Sequence, residues 1–242
     1  IPGLNRLSEV IKIEGAIAGI QLGHCGAQRV ISEPPVVAPS PIPWMKGKRT
    51  PHELTLDEVE QVIEDFVDAA GRASDAGFDL IELHGAHGYL INAFLSPPLN
   101  QRNDCYGGSA ENRLRMVREL TQRVRDRIAS DCLLSMRING DDQLDGALEI
   151  NDYIGIAKEL SEAGVDVFHV SAGTYRVMEQ RITPMYLPEA PFVKYAEQFK
   201  QHLDVPIIAS GSIHSIEMCE NVVRTGMADL VAMARPLFAD PE

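Results

Sequence analysis

Basic residues are scarce in this chain. Its 242 residues carry 22 Lys plus Arg against 35 Asp plus Glu, and the net charge of −13 repels phosphate backbones and anionic lipid alike. Non-specific binding to nucleic acid or to a membrane surface is therefore not expected. Cysteine is scarce too: Cys25, Cys105, Cys132 and Cys219 are too few for a disulfide scaffold, and no two form a C-x-x-C pair, so a reduced, cytoplasmic setting is expected. No apolar run approaches the roughly 20 residues of a membrane-spanning helix, and the first six residues contain no signal-peptide core, which leads to the expectation of a soluble protein. The dinucleotide fingerprint G-x-G-x-x-G and the phosphate loop G-x-x-x-x-G-K-[ST] are both missing.

What is present reads as ordinary globular protein, 45% apolar and 24% charged. Short runs rich in Ile, Val and Leu alternate with longer amphipathic stretches, the pattern of parallel strands joined by crossover helices. Leu4, Leu7, Val10 and Ile11 stand at helical spacing ahead of Gly15, and a strand is expected over 16–22. After a Pro-rich loop (Pro34, Pro35, Pro39, Pro41, Pro43), Thr55 with Glu58 forms a capping-box pattern opening a helix to about Ala76, with Val59, Val62, Ile63, Phe66 and Ala70 on one face. Further strands are expected over 78–83, 133–138, 167–171, 207–209 and 230–233, and further helices over 109–128, 149–163, 191–202 and 215–225. The strands read as nearly continuous apolar runs, which implies that both sheet faces are covered.

An open doubly wound sheet and a closed (β/α)8 barrel share this grammar. The missing dinucleotide fingerprint favours the TIM barrel. So does the placing of His24, His84, Arg137, Ser171, Gly211, Ser212 and Arg235 just past strand ends, where barrels build their sites. The expectation is one domain over 1–242 with about six of eight βα units, two more lying before Ile1 and the chain continuing at both ends.

Four segments carry a resemblance: Gln21-Leu22-Gly23-His24-Cys25-Gly26, the run from Glu82 through His84, His87 and Tyr89 to Leu90, the block Asn100-x-Arg102-x-Asp104-x-Tyr106-Gly107-Gly108-Ser109-x-x-Asn112-Arg113, and Arg235-Pro236-Leu237. Together they resemble the Old Yellow Enzyme family of FMN-dependent oxidoreductases, most closely the branch with 2-enoate and 2,4-dienoyl-CoA reductases. The resemblance implies FMN as cofactor, NAD(P)H as electron donor and a small unsaturated carbonyl substrate. An iron-sulfur (4Fe-4S) cluster and FAD would belong only to residues beyond this chain, and a homo-oligomer is compatible.

His84, His87 and Tyr89 follow one strand within six residues, so a tight turn can aim all three at one point. Two imidazoles suit a carbonyl oxygen on which charge builds during hydride addition to the β-carbon, and a phenol with a pKa of about 10 can deliver a proton to the α-carbon. The family uses the corresponding positions in those roles. Otherwise the two histidines are structural or metal ligands, although no third His or carboxylate stands at a strong zinc spacing. Arg137, emerging from an apolar strand, needs an anionic partner. The resemblance assigns it to the flavin N1 and C2 carbonyl edge; the alternative is a structural bridge to Asp141 or Asp142.

The resemblance also gives Gln21 to the flavin pyrimidine edge, and Gly211, Ser212, Ala234 and Arg235 to the FMN phosphate, where the family usually has Gly in place of Ala234. His24 faces flavin or substrate, or is structural. Cys25 is redox-active or inert packing, and His169 is structural. Arg102 and the Tyr106-Gly107-Gly108 run are scaffold, whereas the loop with Trp44 and the stretch from Tyr175 to Pro188 are possible lids. Other readings of the whole chain are an amine dehydrogenase of the same family, a sugar-phosphate aldolase or isomerase on the same barrel, and a non-enzymatic scaffold.

Overall fold

The computed structural model describes residues 1–29, 35–177 and 188–240. Helix α1 (Pro2–Ile13) leads to strand β1 (Gly19–Leu22). The Pro-rich loop holds two short strands, β2 (Val37–Ala38) and β3 (His52–Glu53), before α2 (Leu56–Asp75). There follow β4 (Leu80–Gly85), α3 (Leu90–Leu95), α4 (Ala110–Arg127), β5 (Leu133–Asn139), α5 (Ile150–Glu162) and β6 (Val167–Ser171). The last elements are α6 (Val193–His202), β7 (Ile207–Ser210), α7 (Ile216–Arg224), β8 (Leu230–Ala232) and α8 (Arg235–Ala239). Six strands form one curled, all-parallel sheet in the order β1-β4-β5-β6-β7-β8, six of the eight βα units of a TIM barrel. Pro34 and residues 178–187 of the second expected lid lie outside the described residues.

Local chemistry explains the element starts. The Thr55 hydroxyl accepts from the Glu58 N–H at 3.2 Å and the Glu58 carboxylate accepts from the Thr55 N–H at 2.8 Å, closing the expected capping box. Ser109 caps α4 by accepting from the Asn112 N–H.

Four strands begin where expected, at residues 133, 167, 207 and 230, whereas β1 and β4 begin later; an aspartate recurs three times at the strand starts. Asp79, Asp166 and Asp229 each stand one residue before a strand, and their carboxylates accept the N–H of Ala18, Leu134 and Ile207 at 2.9, 2.8 and 2.9 Å. Lys12, Arg125 and Lys200 close on the same three carboxylates. Each clamp ties one βα unit to the one before it. At the first, Asp79 also donates its N–H to the Ala18 carbonyl, so the ladder opens at Gly19 paired with Leu80 rather than at residue 16.

The nearly continuous apolar runs resolve into two unlike sheet faces. One face carries Ile81, Leu83, Leu134, Met136, Phe168, Val170, Ile207 and Ala209, all fully buried or nearly so against the helices. Burying each large side chain contributes about 1.5–3 kcal/mol. The opposite face carries Glu82, Ser135, Arg137, Asn139, His169, Ser171 and Ser210, because side chains alternate along each strand. Polar residues in apolar runs therefore mark the concave face.

Candidate active site

β4 runs on to Gly85, past the expected end at residue 83, and so His84 lies inside the strand, not in the loop after it. His84 is thereby a register partner of Arg137 on β5, which in turn pairs with His169 on β6. These three side chains share one rung and one face. One rung below, Gln21, Glu82 and Ser135 are also in register.

After Gly85 the chain makes a turn in which His87 (φ 66°) and Gly88 (φ 75°) are both left-handed, a conformation costly for a residue with a Cβ. The turn brings His87 Nδ1 to 3.4 Å from His84 Nε2, and the two rings meet edge to face with centroids 5.1 Å apart. His87 Nε2 lies 2.8 Å from the Ser171 hydroxyl. Tyr89 packs on the other side of His84 at 4.8 Å, and its hydroxyl is 2.6 Å from that of Tyr175. His84, His87 and Tyr89 thus converge as the sequence leads one to expect, and Arg137 lies beside them.

Two cavities flank this cluster. One of about 570 Å³ is lined by His24, Cys25, Arg29, Trp44, Tyr89 and Tyr175 among others. His24 accepts the Gly26 N–H through Nδ1, and burial, with Arg29 second, lowers its pKa, so the ring is neutral with its proton on Nε2. Cys25 is exposed on this wall rather than packed away. Trp44 meets Tyr175 edge to face, and Arg176 donates to the carbonyls of Pro43 and Trp44, tying the two covering segments together.

The second cavity, of about 300 Å³, gathers Arg137, His169, Gly211, Ser212, Ala234 and Arg235 at the ends of β5 to β8. Gly211 is left-handed (φ 110°) and a Cβ there would lie 2.4 Å from the Phe192 ring, so this bend requires glycine. At its wall, His169 Nε2 is buried and has no hydrogen-bond partner among the described residues. Two guanidinium groups, a hydroxyl and an orphaned imidazole nitrogen suit an anionic, hydrogen-bonding ligand, and they fit a flavin phosphate and pyrimidine edge.

Gln21 is placed differently from the other expected flavin ligands. Its amide donates to Glu82 Oε1 at 2.5 Å. Glu82 also receives Ser135 at 2.9 Å and faces His169 Nδ1 at 3.0 Å. Burial pushes the Glu82 carboxyl up, but the bonds from His169, Gln21 and Ser135 outweigh it and pull the pKa down to about 2. Neither expected alternative for Arg137 is built here: Asp141 takes the Tyr195 hydroxyl, and Asp142 is held by Asn139, Asn92 and Tyr153. Among the described residues no three His, Cys, Asp or Glu gather as a metal-binding set.

The Asn100 to Arg113 block supports this end of the sheet from behind. Arg102, almost wholly buried, donates to the carbonyls of Pro39 and Leu54 and to Asp104, while Asn100 donates to those of Phe94 and Tyr106.

The curled parallel sheet is a partial barrel with this histidine pair and an arginine at its mouth, and residues 1–242 match the model of the NADH:flavin oxidoreductase / NADH oxidase family. The chain belongs to that family, which includes the Old Yellow Enzymes. It is 42% identical over 243 residues to an NADH oxidase of Thermoanaerobacter brockii, covering 99% of this chain and 37% of that protein. It is also 42% identical over 241 residues to an NADPH dehydrogenase of Geobacillus sp. (strain WCH70), covering 100% of this chain and 68% of the relative. Among solved structures, a 2-naphthoyl-CoA reductase in complex with 2-naphthoyl-CoA superposes with a TM-score of 0.89 at 30% identity, over 99% of this chain and 39% of that one. FMN and NAD(P)H are the cofactors of this family.

Proposed function

We propose that this chain reduces the C=C bond of an α,β-unsaturated carbonyl compound with electrons from NAD(P)H. The observation that carries this reading is the 3.4 Å approach of His84 Nε2 to His87 Nδ1 on the rung that also carries Arg137. When bound, FMN supplies the two-electron relay that passes hydride from NAD(P)H to the substrate. Arg137, Gly211, Ser212, Ala234 and Arg235 would hold it, with Arg137 offsetting negative charge, while Gln21 is engaged by Glu82.

As the β-carbon receives hydride, negative charge moves to the carbonyl oxygen. Two nitrogens 3.4 Å apart can both reach one oxygen, so His84 and His87 act as its donors. Ser171 donates to His87 Nε2, which fixes the His87 proton on Nδ1, the nitrogen turned toward His84. Tyr89 gives its hydroxyl proton to the α-carbon, with Tyr175 donating to the phenol oxygen left behind. His24 and the aromatic wall formed by Trp44 and Tyr175 contact the substrate body and exclude water.

The test is anaerobic. NADPH should bleach the flavin band at about 450 nm of the FMN-loaded protein, and 2-cyclohexenone should restore it. Recovery with oxygen alone, or bleaching by a tertiary amine without NADPH, would overturn the proposal in favour of an oxidase or an amine dehydrogenase.

A further inference from the structure

We infer that Asp142 and Tyr153, both remote from the open site, are positioning residues that hold the His87–Gly88 turn in its working shape through two buried asparagines. The inference rests on the proposed roles of His87 and Tyr89.

The two left-handed residues of the turn leave their N–H groups outside any helix or strand ladder. Burying a donor without an acceptor costs about 1–3 kcal/mol, and a left-handed His adds a conformational cost of similar size. The His87 N–H donates to Asn139 Oδ1 at 3.3 Å, and the Gly88 N–H donates to Asn92 Oδ1 at 2.6 Å.

Because each side-chain oxygen is taken by the backbone, each NH2 group must find an acceptor on its far side. Both reach the same atom: Asn139 Nδ2 donates to Asp142 Oδ1 at 2.7 Å, with the Gly173 carbonyl as a longer second acceptor at 3.3 Å, and Asn92 Nδ2 donates to Asp142 Oδ1 at 3.3 Å. The Tyr153 hydroxyl donates to Asp142 Oδ1 at 2.5 Å and accepts from Asn92 Nδ2 at 2.7 Å. Asn92, Asn139, Asp142 and Tyr153 are all fully buried.

One carboxylate oxygen thus orients two amides, and the two amides orient two consecutive peptide groups. The chain of bonds begins on α5, passes through β5 and α3, and ends at the residue whose ring faces His84. Packing alone would place a hydrophobic residue at 142 more cheaply than a buried carboxylate. What a carboxylate adds is one acceptor able to serve three donors at once, and so one rotamer for each asparagine.

Removing it takes away the acceptor the two amides share, leaving Asn139 on the Gly173 carbonyl and Asn92 on Tyr153, and loosens the bonds that hold His87 and Gly88 just before Tyr89. None of Arg137, Gly211, Ser212 and Arg235, which would hold FMN, is a member of this network.

The experiment compares Asp142→Ala, Asp142→Asn and Tyr153→Phe with the wild type in the FMN-loaded protein. It reads backbone amide exchange by NMR, the FMN dissociation constant, and KM and kcat for 2-cyclohexenone. In Asp142→Ala, exchange at His87 and Gly88 should accelerate by about tenfold relative to the slow amides of β4, as the loss of one hydrogen bond of about 1.4 kcal/mol implies. The enone KM should rise by a similar factor, while FMN affinity stays within about twofold of wild type.

Asp142→Asn keeps an oxygen acceptor and should recover most of the loss. If Asp142→Ala does not fold, Tyr153→Phe decides by the same criteria. Exchange at His87 and Gly88 that rises only in step with β4, or an enone KM that stays put while the turn opens, would overturn the inference. A wild-type protein that turns over no enone strikes the proposed reaction instead, and the exchange result still decides whether Asp142 holds the turn.

Discussion

Tyr89 and Tyr175, 86 residues apart in the chain, hold their phenol oxygens 2.6 Å from one another. At that distance one hydroxyl donates and the other accepts, so a proton leaving Tyr89 is compensated at once by its neighbour. Tyr89→Phe removes the proton donor and should lower enone-dependent kcat by about 10²–10⁴, the usual worth of a positioned acid. Tyr175→Phe removes only the supporting bond and should cost about tenfold. Stopped-flow oxidation of the reduced protein by 2-cyclohexenone, in water and in D2O, checks both.

Ser171 sets the His87 tautomer through its 2.8 Å contact with Nε2. In Ser171→Ala the ring is free to carry its proton on Nε2, away from His84. Enone binding should weaken by about three- to tenfold with FMN affinity unchanged, as read from flavin absorbance on titration with the enone.

Arg137 shares a rung with His84 and lines the cavity at the ends of β7 and β8. Arg137→Met should weaken FMN binding and lower the midpoint potential of the bound flavin, because positive charge at this edge favours the reduced anion. Each tenfold loss in preference for the reduced form corresponds to about 30 mV for a two-electron couple. Potentiometric titration gives the number directly.

Acid should loosen the sheet from inside. The Glu82 carboxyl is depressed from its ordinary value of 4.5 to about 2 in the folded state. A depressed carboxyl stabilises the fold above its unfolded pKa and loses that contribution as pH falls through the folded one. The stabilisation is therefore complete above about pH 5 and is lost progressively toward pH 2. Glu82→Gln should flatten that acid limb of a urea-unfolding series and leave the pH dependence above pH 5 as in the wild type.

Much of this arrangement could be read from the sequence because its signals are local. Thr55 with Glu58 announces α2, Ser109 announces α4, and the apolar runs separate six strands. The histidine–tyrosine turn was legible for the same reason: its three side chains lie within six residues. Glu82 carried a signal of the same kind, a carboxylate inside an apolar strand two residues before His84 and so on the same face. Its meaning depends on His169, 87 residues away, and on Ser135, 53 away, and no local pattern encodes those pairings. The Asn92, Asn139, Asp142 and Tyr153 network was hidden likewise, since its members sit on α3, β5, α5 and the loop after β5. The starts of β1 and β4 differ from expectation because Asp79 reads as the opening of a strand when it is in fact a clamp on the preceding unit.

The account stands on two imidazoles converging on one carbonyl oxygen. The most direct measurement is the dissociation constant of 2-cyclohexenone for the oxidised, FMN-loaded protein, compared with that of the protein carrying both His84→Ala and His87→Ala. Two lost hydrogen bonds of about 1.4 kcal/mol each predict an affinity lower by about two orders of magnitude, with FMN still bound. An enone affinity within about threefold of the wild type would contradict it.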